Sequence, residues 1–448
     1  MPQSSPATPH AVSNAPRRIL RGDVLDFTED PGFNPPGESP GVRFRPDHLV
    51  LIEGERIVAV QPASEALTPD WQIAEQLDHR GRLIMPGFID THVHCPQLDV
   101  IASYGTELLD WLNTYTFPAE RRYVDDSVAD EGAERFLEAL WAHGTTSAVI
   151  FATVHKTSAE ALFRRGSEAR MRLVTGKVLM DRHAPDGLRD DVAQAERDCV
   201  DLIQRWHGRG RLRYSLTPRF APTSSPEQLR LTGELLASQP GLHLQTHLAE
   251  TPAELDWVQQ LFPERSSYLD VYQHYGLAGP RTLHAHCIHL SAAERRSMAA
   301  SGAAAAFCPG SNLFLGSGFF DLDASRSAGL RVGLATDIGA GTGFGLLRTL
   351  AQAYEVGQAC RAPLSALRGF YLATLGGARA LYLDEHIGNF QPGREADFIA
   401  LDWAATPELA WRMERCQGLT ERLFALMTLG DERCVVATHV MGEVAFVR

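Results

Sequence analysis

Two histidines one residue apart, in the stretch MPGFIDTHVHCPQ from Met85 to Gln97, are the first residues whose types and spacing could do chemistry. On a β-strand, positions i and i+2 share a face, so His92 and His94 project side by side with Asp90 behind them. Such a pair is half of a metal site, or else a surface or hydrogen-bonded pair, and the other ligands must come from elsewhere in the chain. Suitable groups are His247 and Glu250 in LHLQTHLAE, His286 in TLHAHC and Asp337 in GLATDIG. Three neutral imidazoles and a carboxylate suit Zn²⁺ or Fe²⁺ with one position left open for water, and an open position means chemistry.

Each of these residues also has a plainer use. His286 competes with His284 and His289, and His284 shares its strand face. Asp337, before Ile338 and Gly339, suits a helix N-cap or a turn. His247 reads equally as a hydrogen-bonded core histidine, and Glu250 as a first-turn residue favoured by the helix dipole. His143, His155, His183, His243 and His274 are read as structural or surface residues.

Ligands this far apart need a frame that gathers them. Between about Pro86 and Tyr382 the chain alternates strand and helix, with candidate strands over Phe88–His94, Thr145–Phe151, Met171–Leu179, Arg213–Thr217, Leu242–His247, Arg281–His286, Ala303–Cys308 and Arg331–Asp337. In the helical pattern SVADEGAERFLEALWAHG, Phe136, Leu137, Leu140 and Trp141 fall on one face and Gly144 can end the helix. Eight βα units fit an α/β fold of the (β/α)8, TIM-like barrel type, although periodicity does not separate it from a doubly wound open sheet. In a barrel the proposed ligands stand at the C-terminal ends of strands one, five, six and eight, the rim where such enzymes keep their active sites. That convergence raises the metal reading above each plainer one.

The two ends of the chain read differently. RRILRGDVLDF and HLVLIEGERIVAV, separated by the loop PGFNPPGESPG, are strand-like, as are ADFIALDW and CVVATHVMGEVAFVR near the other end. The expected organisation is a disordered tail over 1–16, a barrel over 86–385, and a small β-sandwich domain built from 17–85 and 386–448.

Composition removes several classes of function. A net charge of −13 over 448 residues, with no basic run, argues against a nucleic-acid surface. The seven cysteines are scattered without a C-x-x-C pair, which points to reduced thiols in a cytoplasm and excludes the zinc-deaminase design that needs that motif. No signal-like or membrane-spanning apolar stretch occurs. Gly339, Gly341, Gly343 and Gly345 follow a strand, but their spacing is not that of a dinucleotide fingerprint, and they are read as a flexible loop at the mouth.

The order His-x-His after PGFID, then His, His and Asp, resembles the amidohydrolase superfamily, and His-x-x-Glu at His247 and Glu250 resembles its mononuclear deaminases. DTHVHCPQ, LLDWLNTYTFPAE, GTTSAVIFATVH, GKVLMD, TPRF, HLAE, CPGSNLFLGSGF, GLATDIGAG and LATLGGARAL together look like the guanine deaminases of that superfamily. Two departures are visible: Gly310 stands where asparagine is usual, and Cys95 where a small residue is common.

The resemblance implies one divalent metal per chain, Zn²⁺ before Fe²⁺, held by His92, His94, His247 and Asp337. It implies Glu250 as proton shuttle, Asp337 and His286 as further catalytic groups, and Gln97, Arg219 and Phe220 as the residues that hold the purine. It also implies guanine as substrate, a lid over LLDWLNTYTFPAE and a homodimer. A two-metal variant bridged by a carboxylated lysine would need Lys177, which is read as structural.

Overall fold

The computed structural model describes residues 15–32, 41–105 and 107–448. The tail expected over 1–16 and the Pro/Gly-rich loop lie mostly outside these residues. Phe88–His94, Thr145–Phe151, Arg172–Gly176, Arg213–Pro218, His243–Leu248, Thr282–His286, Ala304–Phe307 and Arg331–Leu334 follow one another, all parallel, in a single sheet. The expected third strand is broken at Lys177, because the Val178 amide donates to the Thr153 carbonyl (2.9 Å). Val178–Leu179 then pairs separately with the fourth strand.

The barrel is a packed core. Ile89, Val149, Val174, Leu283, Ala304 and Ala306 form one buried cluster with Leu381, Leu383 and Ile387. Outside it lie the helices; in Asp126–Ala142 the expected face of Phe136, Leu137 and Leu140 is buried, and the Asp125 side chain caps the helix through Ser127 and Val128 amides.

The first and eighth strands meet through side chains and single hydrogen bonds. Thr91 Oγ1 donates to the Leu334 carbonyl (3.0 Å), and the Thr336 amide and hydroxyl both donate to the Asp90 carboxylate. The Asp337 amide donates to the His92 carbonyl (2.9 Å), and that of His94 to Ile338 (2.6 Å). Asp90 thus fastens the barrel seam that carries three of the candidate metal ligands.

Both ends of the chain join in one seven-stranded sheet, ordered Glu443–Val447, Val435–Val440, Phe398–Leu401, Glu75–Pro86, Arg17–Phe27, Val42–Glu53 and Arg56–Pro62. The pair Arg17–Phe27 and Glu75–Pro86 is parallel and the others antiparallel. Leu20, Val24, Val50, Ile52, Ile57 and Phe398 gather around Phe390 in its core. Buried Arg172 and Arg211 of the barrel pair with Glu395 beside this sheet, and Arg211 also with Asp397.

Two helices, Pro407–Met413 and Leu419–Leu429, interrupt the C-terminal strands, where the sequence reading expected only β structure. Leu423, Leu426 and Met427 bury against the barrel side, and Phe424 meets Tyr354 edge-on at 4.9 Å. Among the described residues no helix is long and apolar enough to cross a membrane.

Candidate active site

At the C-terminal rim of the barrel, three imidazole nitrogens converge. His92 Nε2 lies 3.1 Å from His94 Nε2, which lies 3.3 Å from His247 Nε2. Asp337 Oδ1 is 3.3 Å from both His92 and His94. Burial lowers the basicity of His92, drives that of His247 far down and brings His94 to about 3, so all three rings present lone pairs. Burial opposes ionisation of Asp337, but His92 and His94 outweigh it and hold its carboxyl well below the usual range. Neutral imidazole nitrogens and a carboxylate this close form a donor set suited to a divalent cation.

The backbone aims these rings. His247 Nδ1 donates to the Arg219 carbonyl (2.7 Å), which leaves Nε2 unprotonated and turned inward. At the end of strand six, left-handed φ values of +70° at His286 and +52° at Cys287 break the alternation. His284 lies against Tyr272, 5.5 Å between rings, and His286 is turned off that face, so the two do not share it as the sequence implied. His286 donates through Nδ1 to Asn312 Oδ1 (2.9 Å) and turns Nε2 toward Glu250 Oε2 (3.3 Å) and Asp337 Oδ2 (3.8 Å). Ser317 Oγ donates to Glu250 Oε1 (3.0 Å), and burial, then the charge of Asp337, pushes the Glu250 carboxyl up to about 8.

A narrow cleft opens above these groups. Leu108, Trp111, Leu112, Phe220, Leu315 and Ala340 give it apolar walls, and Gln97, Arg219, Glu250 and Glu254 give it polar ones. Gln97 Oε1 accepts from the Gly339 amide (3.1 Å), so its amide nitrogen is the free end. The segment expected as a lid is helical, with a π turn over Leu112–Thr116 between Leu108–Trp111 and Phe117–Arg121.

His92, His94, His247, His286, Glu250, Asp337, Gln97, Arg219 and Phe220 are thus gathered at one rim, most of them lining this cleft. Leu315, Asn312, Ser317 and Glu120 were not singled out from sequence, although LLDWLNTYTFPAE and CPGSNLFLGSGF contain them. Gly310 does not line the cleft. No helix starts at Asp337; its carbonyl accepts from the Gly341 amide in a tight turn (2.6 Å). The glycines after it permit close packing: a Cβ would fall 2.5 Å from the Gln97 carbonyl at Gly339 and 1.8 Å from that of Thr336 at Gly341. Lys177 is held away from the cluster, pairing with Asp190 and donating to the Val178 carbonyl (3.2 Å).

Comparison with known proteins agrees with this geometry. The model of the Amidohydrolase family matches residues 83–445. Guanine deaminase of Escherichia coli K12 is 45% identical over 434 residues, 96% of this chain and 98% of that protein. The crystal structure of guanine deaminase from Bradyrhizobium japonicum superposes with a TM-score of 0.93 at 37% identity, covering 97% of this chain and 100% of that one. That of guanine deaminase from C. acetobutylicum, with guanine bound in its active site, gives 0.86 at 29% identity, covering 96% and 100%. From the barrel, its rim and these likenesses together, the chain belongs to the amidohydrolase family and, within it, groups with the guanine deaminases.

Proposed function

We propose that this chain is a guanine deaminase that hydrolyses guanine to xanthine and ammonia, with one divalent metal, Zn²⁺ before Fe²⁺, held by His92, His94, His247 and Asp337. The observation that carries the reading is the convergence of the Nε2 atoms of three neutral imidazoles and a carboxylate beneath a cleft with apolar walls. A metal held there supplies a Lewis acid that brings the pKa of water toward neutrality.

The chain's own groups do the rest. Gln97 and Arg219 offer N–H donors, which complement a ring carbonyl such as O6 and meet an exocyclic amine at that position donor to donor. Phe220 supplies an aromatic wall for the ring. Glu250 takes a proton from the attacking water as the C–O bond forms at C2 and delivers it to N3, which removes aromatic stabilisation from the ring. His286 hydrogen-bonds the attacking oxygen through Nε2. Asp337 relays the second proton to the exocyclic nitrogen, so that the C–N bond breaks with ammonia as the leaving group.

The reading includes a cytoplasmic enzyme, supported by the absence of disulfides among the described cysteines. It also includes a homodimer, which rests on the resemblance and is tested by sedimentation. The decisive experiment is ammonia release from guanine, adenine, a pterin and cytosine, with metal content measured on the same sample. Guanine turnover at one metal per chain is expected. Turnover of another ring alone would overturn the substrate, and full activity without metal would overturn the site.

A further inference from the structure

Arg219 does not stand free at the cleft. Its Nη1 donates to both oxygens of Glu120, at 2.8 and 2.9 Å, and Glu120 has no exposed surface. The guanidinium carbon also lies 5.4 Å from the centre of the Phe117 ring. Both partners belong to the helix Phe117–Arg121, which continues the segment whose Leu108, Trp111 and Leu112 wall the cleft. One stretch of chain therefore shapes the apolar slot and fixes the cation in it.

A carboxylate that takes both its bonds from one terminal nitrogen leaves Nη2 and Nε of the guanidinium for another acceptor. We propose that Glu120 is a positioning residue for substrate recognition: it anchors Arg219 by Nη1 so that the remaining N–H groups face the ring carbonyl of the purine. This rests on the reading of the site as a guanine pocket. A carboxylate is needed because an amide in its place would turn either one acceptor or a donor toward Nη1, and Arg219 would lose its buried counter-charge.

The test is a double-mutant cycle on the metal-loaded full-length protein with guanine as substrate, using Glu120→Gln, Arg219→Gln and the pair together. Because the contact is remote from C2, Glu120→Gln should raise KM by about ten- to a hundredfold while kcat changes little, the range for losing a charge-assisted hydrogen bond. Metal content should stay at the wild-type value. In the Arg219→Gln background, adding Glu120→Gln should cost nothing further, since Glu120 acts only through the arginine. Losses that multiply, or a fall in kcat with KM unchanged, would overturn the proposal. If Glu120→Gln does not fold alone, the charge-balanced double variant compared with Arg219→Gln decides the matter by the same criterion. Failure of the wild type to turn over guanine would instead overturn the substrate reading, a distinct result.

Discussion

Replacing Glu250 with glutamine is the sharpest probe of the proposed chemistry, because the pocket already satisfies an amide there. Ser317 Oγ can donate to the amide oxygen as it does to Glu250 Oε1 at 3.0 Å. His286 spends its Nδ1 proton on Asn312, so its Nε2 lone pair, 3.3 Å from Glu250 Oε2, can accept from the new NH₂. Neither folding nor the His92, His94, His247 and Asp337 cluster should suffer. What disappears is a group that both takes and returns a proton. General acid–base catalysis is worth about 10²- to 10⁴-fold, and one residue serves two transfers here, so kcat should fall by about 10³-fold or more, roughly 4 kcal/mol of barrier. Steady-state xanthine formation, with metal content and melting temperature measured on the same preparation, gives the answer. A variant with normal metal and kcat within about tenfold of wild type would refute the role of Glu250.

Dialysis against a chelator should abolish guanine turnover and added Zn²⁺ restore it, and His94→Ala should lose both metal and activity; activity in metal-free protein would contradict the ligand set. Arg211 donates to Glu395 (2.8 Å) and Asp397 (3.1 Å) in a buried cluster, so Arg211→Met strands Asp397, leaves Glu395 to Arg172, and should cost about 3–5 kcal/mol in urea unfolding. A loss under about 1 kcal/mol would deny that this cluster fastens the two parts of the fold. Burial lowers His243 and His439 to about 4, against an unfolded value of 6.5. The unfolded chain then takes up protons first, so stability is unchanged above pH 6.5 and falls as pH drops through that value toward 4, by about 3 kcal/mol for each histidine. His439→Gln, which cannot titrate, should flatten this slope, and a pH dependence identical to wild type would exclude His439 as its source.

The barrel was legible because short strand-like runs alternate with amphipathic helical patterns along the middle of the chain; Phe88–His94 and Thr145–Phe151 begin and end where the sequence puts them. His-x-His was legible because alternation places i and i+2 together. The same rule misled at His284 and His286, where a left-handed backbone turns the second ring away from the first. Glu120 stayed hidden for another reason: its partner lies 99 residues away, and nothing local marks a helical glutamate as buried. The helices Pro407–Met413 and Leu419–Leu429 were missed because strand-like runs on either side drew the reading toward β structure.

The barrel seam carries a consequence for how the protein matures. Asp90 and Thr336, which fasten it, are 246 residues apart, and Asp337 reaches the histidines of the first strand only across that junction. A nascent chain can assemble seven strands and their helices before the eighth is synthesised, yet the proposed ligand set is still one carboxylate short. Closing so distant a contact is a slow, late event in folding. Under the proposed ligand set, tight metal retention therefore begins only once the eighth strand has been made and docked against the first. A polypeptide that stops short of the eighth strand, or fails to dock it, lacks the carboxylate, so metal occupancy reports that the barrel has closed.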